Sequence, residues 1–324
     1  MCGLLFLLFR LDKYDMLKGR KSEIRKHNMK KISIFLALLL VLAVLPGCGS
    51  GASAQIAATT LPVYEFTARL CASTPLTVTR LVTEQVSCLH DYSLNVRQVK
   101  AAQGAEVIVL SGAGLEEFLD DILQGADAID ASQGIELLCS EEEHEEGHEE
   151  AHDHEGHHHE EDPHIWLSPA NAKIMARNIA QGLSQRYPAY ADTFRANLDT
   201  LLGDLDVLDA YGEEALSGLS CRELITFHDG FSYFAQAFDL AILEAVEEES
   251  GSEASAQELI HLIRDVEEHS LPAIFTETSG STSAAEVISR ETGCAVHSLD
   301  MAMAGDSYFD AMYHNIDTIK EALG

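Results

Sequence analysis

The chain is short of basic residues, has no pair of cysteines at metal-thiolate spacing, and has no long apolar run in its body; each shortage removes a class of protein. Lys and Arg number 21 against 53 Asp and Glu in 324 residues. A surface that negative repels nucleic acid and anionic lipid and favours cations as partners. Seven cysteines are present, but none forms a CxxC pair, which argues against a thiolate zinc site of the ribbon or finger kind. HExxH spacing occurs only within the carboxylate-dense segment 141–161, at His144 to His148, His148 to His152 and His154 to His158, which lacks the apolar positions of the helix that carries this motif in a zinc hydrolase. The 46% hydrophobic content still suffices for packed cores, and the length allows two lobes of ordinary size.

One apolar run does occur near the start. Lys30-Lys31 precede Ile32 to Leu45, a stretch short for a membrane span and followed by small residues, the form of an export signal. Leu45-Pro46-Gly47-Cys48 resembles a bacterial lipobox, in which the cysteine after the cut takes a lipid and becomes the mature N-terminus. Cys48 is therefore the expected lipidation site, and a lipid anchor is expected to hold the exported chain at the outer face of the bacterial cell membrane. Met29-Lys30-Lys31 also has the form of a signal-peptide opening, so Met29 competes with Met1 as the start. Removal of residues 1–47 leaves 12 basic against 50 acidic residues, a balance of −38. Export permits disulfides; among Cys71, Cys88, Cys139, Cys221 and Cys294, the pairs Cys71 with Cys88 and Cys221 with Cys294 are both open, and spacing does not choose.

The segment from Glu141 to Pro169 joins two unlike pieces. Residues 141–161 hold His144, His148, His152, His154, His157, His158 and His159 among carboxylates, with almost no apolar side chains. Such a segment cannot bury enough apolar surface to offset the entropy of ordering, so it reads as a loop of loosely held, low-affinity metal ligands. DPHIWLSP follows. Asp162-Pro163 stiffens the approach, Ile165, Trp166 and Leu167 can anchor in a core, and Ser168-Pro169 is an N-cap with proline in the first helical position. His164 is thus a histidine on a rigid mount.

Elsewhere short β-like runs alternate with helical stretches, which argues for parallel sheets covered by helices. Strands are expected at Ile56 to Thr60, Thr77 to Val82, Glu106 to Leu110 and Ile135 to Leu138, with helices at Val63 to Cys71, Asn95 to Ala102 and Glu116 to Leu123. The second half alternates likewise: strands at Leu224 to Phe227, Ala241 to Ala245, Ala273 to Thr276 and Ala295 to Leu299, helices at Phe231 to Ala237, Ser255 to His269, from Ser283 onward and Tyr308 to Leu323. Ser255 with Glu258, and Ser283 with Glu286, have the form of capping boxes. Between the halves lies a helix from Pro169 to about Gln185, then a long amphipathic segment from Ala189 to Leu216. There Phe194, Leu198, Leu201, Leu205 and Leu208 form one stripe. The expected fold is α/β: two lobes, each a parallel sheet flanked by helices, joined by a long rigid helix, with a metal site in the interlobe cleft. Its divisions are an N-terminal extension and signal peptide at 1–47, a linker at 48–55, a first lobe at 56–188 with the His-rich loop inside it, a connecting helix at 189–217 and a second lobe at 218–324.

Ligands of open α/β sheets bind beyond the carboxyl ends of strands. His90, His164, His228 and Asp300 all follow strand-like runs, two in each half, 74 and 72 residues apart. Two similar lobes facing one cleft would give that near-equal spacing. Three imidazoles and one carboxylate suit a borderline metal such as zinc, whereas calcium and magnesium favour all-oxygen cages. Four ligands spread over two lobes suggest capture; an exported zinc-dependent hydrolase would need an open coordination position and a nearby base. His261, His269, His297 and His314 read as surface or structural histidines, and Phe231, Tyr233 and Phe234 as core.

From about Ile56 to Leu323 the chain resembles the metal-binding lipoproteins that serve bacterial zinc and manganese ABC importers. DPHIWLSP with its His-rich insert, HDGFSYFAQAFDL, and EEESGSEASAQELIHLI followed by AIFTET carry the resemblance. It implies two α/β lobes joined by a rigid helix and a metal ion in the cleft. It also implies that His90, His164 and His228 are ligands with Asp300 as the carboxylate, and that a membrane ABC permease is the partner of a monomeric chain that is not an enzyme. Histidine at 228, where other members have glutamate, resembles the zinc branch, with a manganese-binding member as the alternative. The sequence departs from the family in Cys88-Leu89-His90, where proline usually precedes the histidine. Glu277 is expected to orient an imidazole, with direct ligation as the alternative.

Overall fold

The computed structural model describes residues 55–84, 89, 92–139, 161–246 and 254–324. Cys48, Cys88, His90 and the seven histidines of the loop lie outside them. The first half contains β1 (Ile56–Ala58), α1 (Leu61–Leu70), β2 (Val78–Arg80), α2 (Val96–Gly104), β3 (Val107–Leu110), α3 (Asp120–Leu123) and β4 (Ala128–Asp130). Next come α4 (Pro169–Arg186) and α5 (Ala191–Leu216). The second half runs β5 (Glu223–Thr226), α6 (Ser232–Ala237), β6 (Ala241–Ala245), α7 (Ala256–His269), β7 (Ala273–Glu277), α8 (Ser283–Thr292), β8 (Ala295–Leu299) and α9 (Tyr308–Leu323).

The strands form two four-stranded sheets, in the orders β2-β1-β3-β4 and β6-β5-β7-β8, and every pair is parallel. Parallel sheets need crossover helices on their faces, so their central strands are buried on both sides. Ile56, Ala57 and Ala58 of β1 accordingly have no exposed surface, and β7 is buried along its whole length.

Helix α5 packs on α1 and α4 of the first half and on α9 of the second. Its 26 residues make a rod about 39 Å long. Phe194, Leu201, Leu205 and Leu208 are fully buried, and Leu198 is partly buried against the same core. A second apolar cluster, around Ile225, Leu262, Ile274 and Ile288, lies under α7 and α8.

Two expectations fail locally. Ile135 to Leu138 is not a strand; the fourth strand is Ala128–Asp130, paired with β3. Ile135, Leu137 and Leu138 pack as partly buried side chains on the main core, so their apolar character reflects burial without sheet pairing. Leu138 instead uses its carbonyl to accept the Asp162 N–H at 2.8 Å, and Cys139 and Glu161 form an isolated antiparallel bridge. The two ends of the His-rich insert therefore meet in a narrow neck. The second failure is the cap of α8: Thr282 is the N-cap, without a side-chain cap bond, and Glu286 accepts the Thr282 hydroxyl at 2.9 Å. The Ser255 and Glu258 capping box forms as expected, and Asn95 with Gln98 makes another at α2.

Cys71, Cys139, Cys221 and Cys294 are free thiols. The Cys221–Cys294 pair is thus not made; Cys221 Sγ is turned to the Glu223 carbonyl at 3.7 Å. Burial pushes the Cys71 thiol up to about 12.

Candidate metal centre

His164 is held from several sides. Asp162 Oδ1 accepts the His164 backbone N–H at 2.9 Å and lies 2.8 Å from His164 Nδ1, so one carboxylate oxygen fixes both main chain and ring. Asp162 is itself buried, and its carbonyl accepts the Tyr233 hydroxyl at 3.0 Å, while that hydroxyl accepts the Leu138 N–H at 2.9 Å. After His164 a single 3-10 turn, Ile165–Leu167, is fully buried. Ser168 then caps α4, with Pro169 at its first position. Trp166 Nε1 donates to the Met301 carbonyl at 2.7 Å, and Tyr308 Oη donates to the Trp166 carbonyl at 2.8 Å. The mount of His164 is therefore bolted to the second half as well as the first.

His228 enters from the other sheet, two residues beyond the end of β5. Thr226 Oγ1 donates to the His228 carbonyl at 3.1 Å. Glu277, buried at the carboxyl end of β7, has Oε1 3.6 Å from His228 Nδ1. The two imidazoles cross at 85° with their Nε2 atoms 3.4 Å apart. Gly230 makes this approach possible: a Cβ there would stand 2.9 Å from the His228 ring, 3.1 Å from His164 Nδ1 and 2.5 Å from the Met301 methyl. The neighbouring Asp229 carboxyl is raised by burial and by the Asp162 charge, with His164 opposing.

The geometry fits two ligands of one ion. Zinc–nitrogen bonds of 2.0–2.1 Å at a tetrahedral angle put ligand nitrogens about 3.3 Å apart. A carboxylate beside each Nδ1 favours the tautomer that leaves Nε2 as a lone-pair donor. Asp300 follows β8 directly. Its backbone is held twice by Asn315, which accepts the Asp300 N–H and donates to its carbonyl, both at 2.7 Å. Asp300 Oδ1 accepts the Ala302 N–H at 2.8 Å, and the methyl of the adjacent Met301 borders the same space over Gly230 that both imidazoles border. Nothing described bears on His90 itself, although Leu89 before it is buried in the main core. Phe231, Tyr233 and Phe234 are core residues as expected.

The sequence reading missed Asp162 and Gly230 as parts of the site. Asp162 had a signal, an acidic residue two before the histidine in DPH, which was read only as a stiff approach. Gly230 had none that separates it from a turn glycine.

A model of the family "Zinc-uptake complex component A periplasmic" matches residues 56–322. The zinc-binding lipoprotein AdcA of Streptococcus pneumoniae is 30% identical over 310 residues, covering 90% of this chain, which spans 61% of that relative's length. Among solved structures, ZnuA is 30% identical, with a TM-score of 0.71 over 84% of this chain and 100% of its own. A ZnuA deletion mutant with zinc bound gives 30% and 0.68 over 84% and 98%. Two parallel sheets, a long helix packed on both halves and a match over nearly all the described residues lead to one conclusion: this chain belongs to the ZnuA family of periplasmic zinc-uptake components.

Proposed function

We propose that this chain captures Zn2+ outside the cytoplasm, in the cleft between its two sheets, and delivers it to a membrane ABC permease. The observation that carries the reading is the 3.4 Å approach of His164 Nε2 and His228 Nε2 from opposite halves, each ring with a carboxylate at its other nitrogen. His90 and Asp300 complete the proposed set, and Glu277 orients His228. A set of three imidazole nitrogens with one carboxylate favours zinc over manganese, which prefers carboxylate and water oxygens. Family membership supports a solute-binding role in place of the exported hydrolase. Anchoring through a lipid on Cys48 at the outer face of the cell membrane, a monomeric state, and the division into lobes at 56–188 and 218–324 around a connecting helix at 189–217 belong to the same proposal.

Capture needs a site already built before the ion arrives. The mount of His164 provides it: the Ile165–Leu167 turn is buried and the Trp166 bond to Met301 ties that turn to the segment carrying Asp300. Little ordering entropy then remains for zinc to overcome, which favours tight binding. Titrating zinc into the full chain and its His164→Ala and His228→Ala variants tests the reading. Unchanged affinity in both variants would overturn it.

A further inference from the structure

A second group of metal-ligating side chains lies in the second half, on edge strand β6 and helix α7. Glu244, near the carboxyl end of edge strand β6, meets His261 and Asp265 of α7, and one ligand atom from each falls within 4.8 Å of the others. His261 and Asp265 are spaced i and i+4, which puts both on one helix face. His261 Nδ1 is 3.0 Å from Asp265 Oδ2 and 3.9 Å from Glu244 Oε1. Asp265 Oδ2 is sealed from solvent yet accepts no hydrogen bond. Its contact with the ring nitrogen is therefore close but off the axis a hydrogen bond requires, as two ligand atoms lie when both address a third point. Sealed acceptors without a hydrogen bond are rare in folded proteins.

We infer that Glu244, His261 and Asp265 form a second, weaker binding site for a borderline divalent cation of the zinc class. Ligand atoms on one such ion lie about 3.2–3.5 Å apart, so the His261–Asp265 spacing is already close to that required. The longer gap to Glu244 closes by rotation of a side chain that is 43% exposed. One imidazole with two carboxylates suits zinc and its neighbours better than calcium or magnesium, which take oxygen alone. Three protein ligands and a His261 side chain 64% exposed leave the remaining positions to water. The cation exchanges with solvent, and the site is a holding place near the rim of the second sheet. It goes beyond the cleft reading and shares no residue with it.

Imidazole NMR of the full chain separates the two sites. The His261 signals are assigned by their disappearance in His261→Ala, and zinc is added from zero to millimolar concentration. The expected result is that the first equivalent moves the His164 and His228 signals and later zinc moves those of His261. In Asp265→Asn and in Glu244→Gln the His261 response shifts to at least about tenfold higher zinc, since losing even a residue that supports a ligand weakens metal sites by that order. In His164→Ala it is unchanged, so failure of the cleft reading and failure of this one are distinguishable. A His261 signal that never responds overturns the site. A His261 response in both carboxylate variants that matches that of the unaltered chain shows a lone surface histidine and overturns it equally.

Discussion

His164 and His261 each have a carboxylate oxygen within 3.0 Å of Nδ1, and they occupy opposite settings. His164 is 2% exposed, its partner Asp162 also grips the backbone N–H, and the turn that follows is buried. His261 stands on an exposed helix face with its partner one turn away. If both sites hold zinc as proposed, donor identity alone does not set their affinities; the difference is the ordering each ion would still have to impose. At the proposed cleft site His164 is already held by Asp162 on both ring and backbone, so that ligand would need little further ordering. At α7 the glutamate and the imidazole must both be immobilised, which costs about 0.5–1.5 kcal/mol for each such side chain.

The comparison can be broken most severely by removing a cleft ligand. His164→Ala and His228→Ala are each expected to weaken tight zinc binding by more than about hundredfold, beyond the range for losing a supporting residue, as read by competition with a chelator. Asp162→Asn keeps the shape but exchanges the carboxylate for an amide. A loss of about 10- to 100-fold is expected, with the fold retained by circular dichroism; an unchanged affinity would show that the Nδ1 contact is incidental. Gly230→Ala forces a methyl between the two rings, and overpacking of this kind costs about 1–3 kcal/mol. Weaker zinc binding with a lowered Tm should result.

A pH scan tests a buried carboxyl that supports the first sheet without touching the imidazoles. Glu116 accepts the Thr59 hydroxyl and the Ser111 and Gly112 N–H groups. Burial outweighs these bonds and raises its pKa to about 7 from an ordinary 4.5. The folded chain thus keeps a proton that the unfolded chain releases, so this contribution is full below pH 4.5 and is lost as pH rises toward 7. The loss is about 1.4 kcal/mol per pH unit at most. Denaturant unfolding of the metal-free Glu116→Gln variant should show a flatter profile across that window. The smallest effect is expected from deleting residues 141–161. Leu138 and Asp162 are already hydrogen-bonded, so Cys139 and Ser140 can turn between them; the tight event should persist and only weaker ones vanish.

Much of the fold was legible because its signals are local. β6, β8 and α9 fall where the alternation places them, and the Ser255 capping box forms because both partners lie within one turn. The misses come from tertiary effects. Ile135 to Leu138 is apolar because it lies on the core, while Ala128–Asp130 pairs with β3 despite weak β character. Of the candidate ligands, the described structure brings His164 and His228 together and sets Asp300 one residue from Met301, whose methyl borders the space over Gly230 that both rings border. The support from Asp162 was hidden because an aspartate before proline reads first as a turn. The α7 cluster was hidden because Glu244 and His261 meet only when β6 and α7 pack together.

The central claim, one ion shared by His164 and His228, is tested most directly by a double-mutant cycle on zinc affinity. If both imidazoles hold the same zinc, the loss in the double His164→Ala, His228→Ala variant falls clearly short of the sum of the two single losses, because either change alone already opens the shared site. Losses that add in full, or singles that keep the affinity of the unaltered chain, would mean that the rings serve separate ions or none.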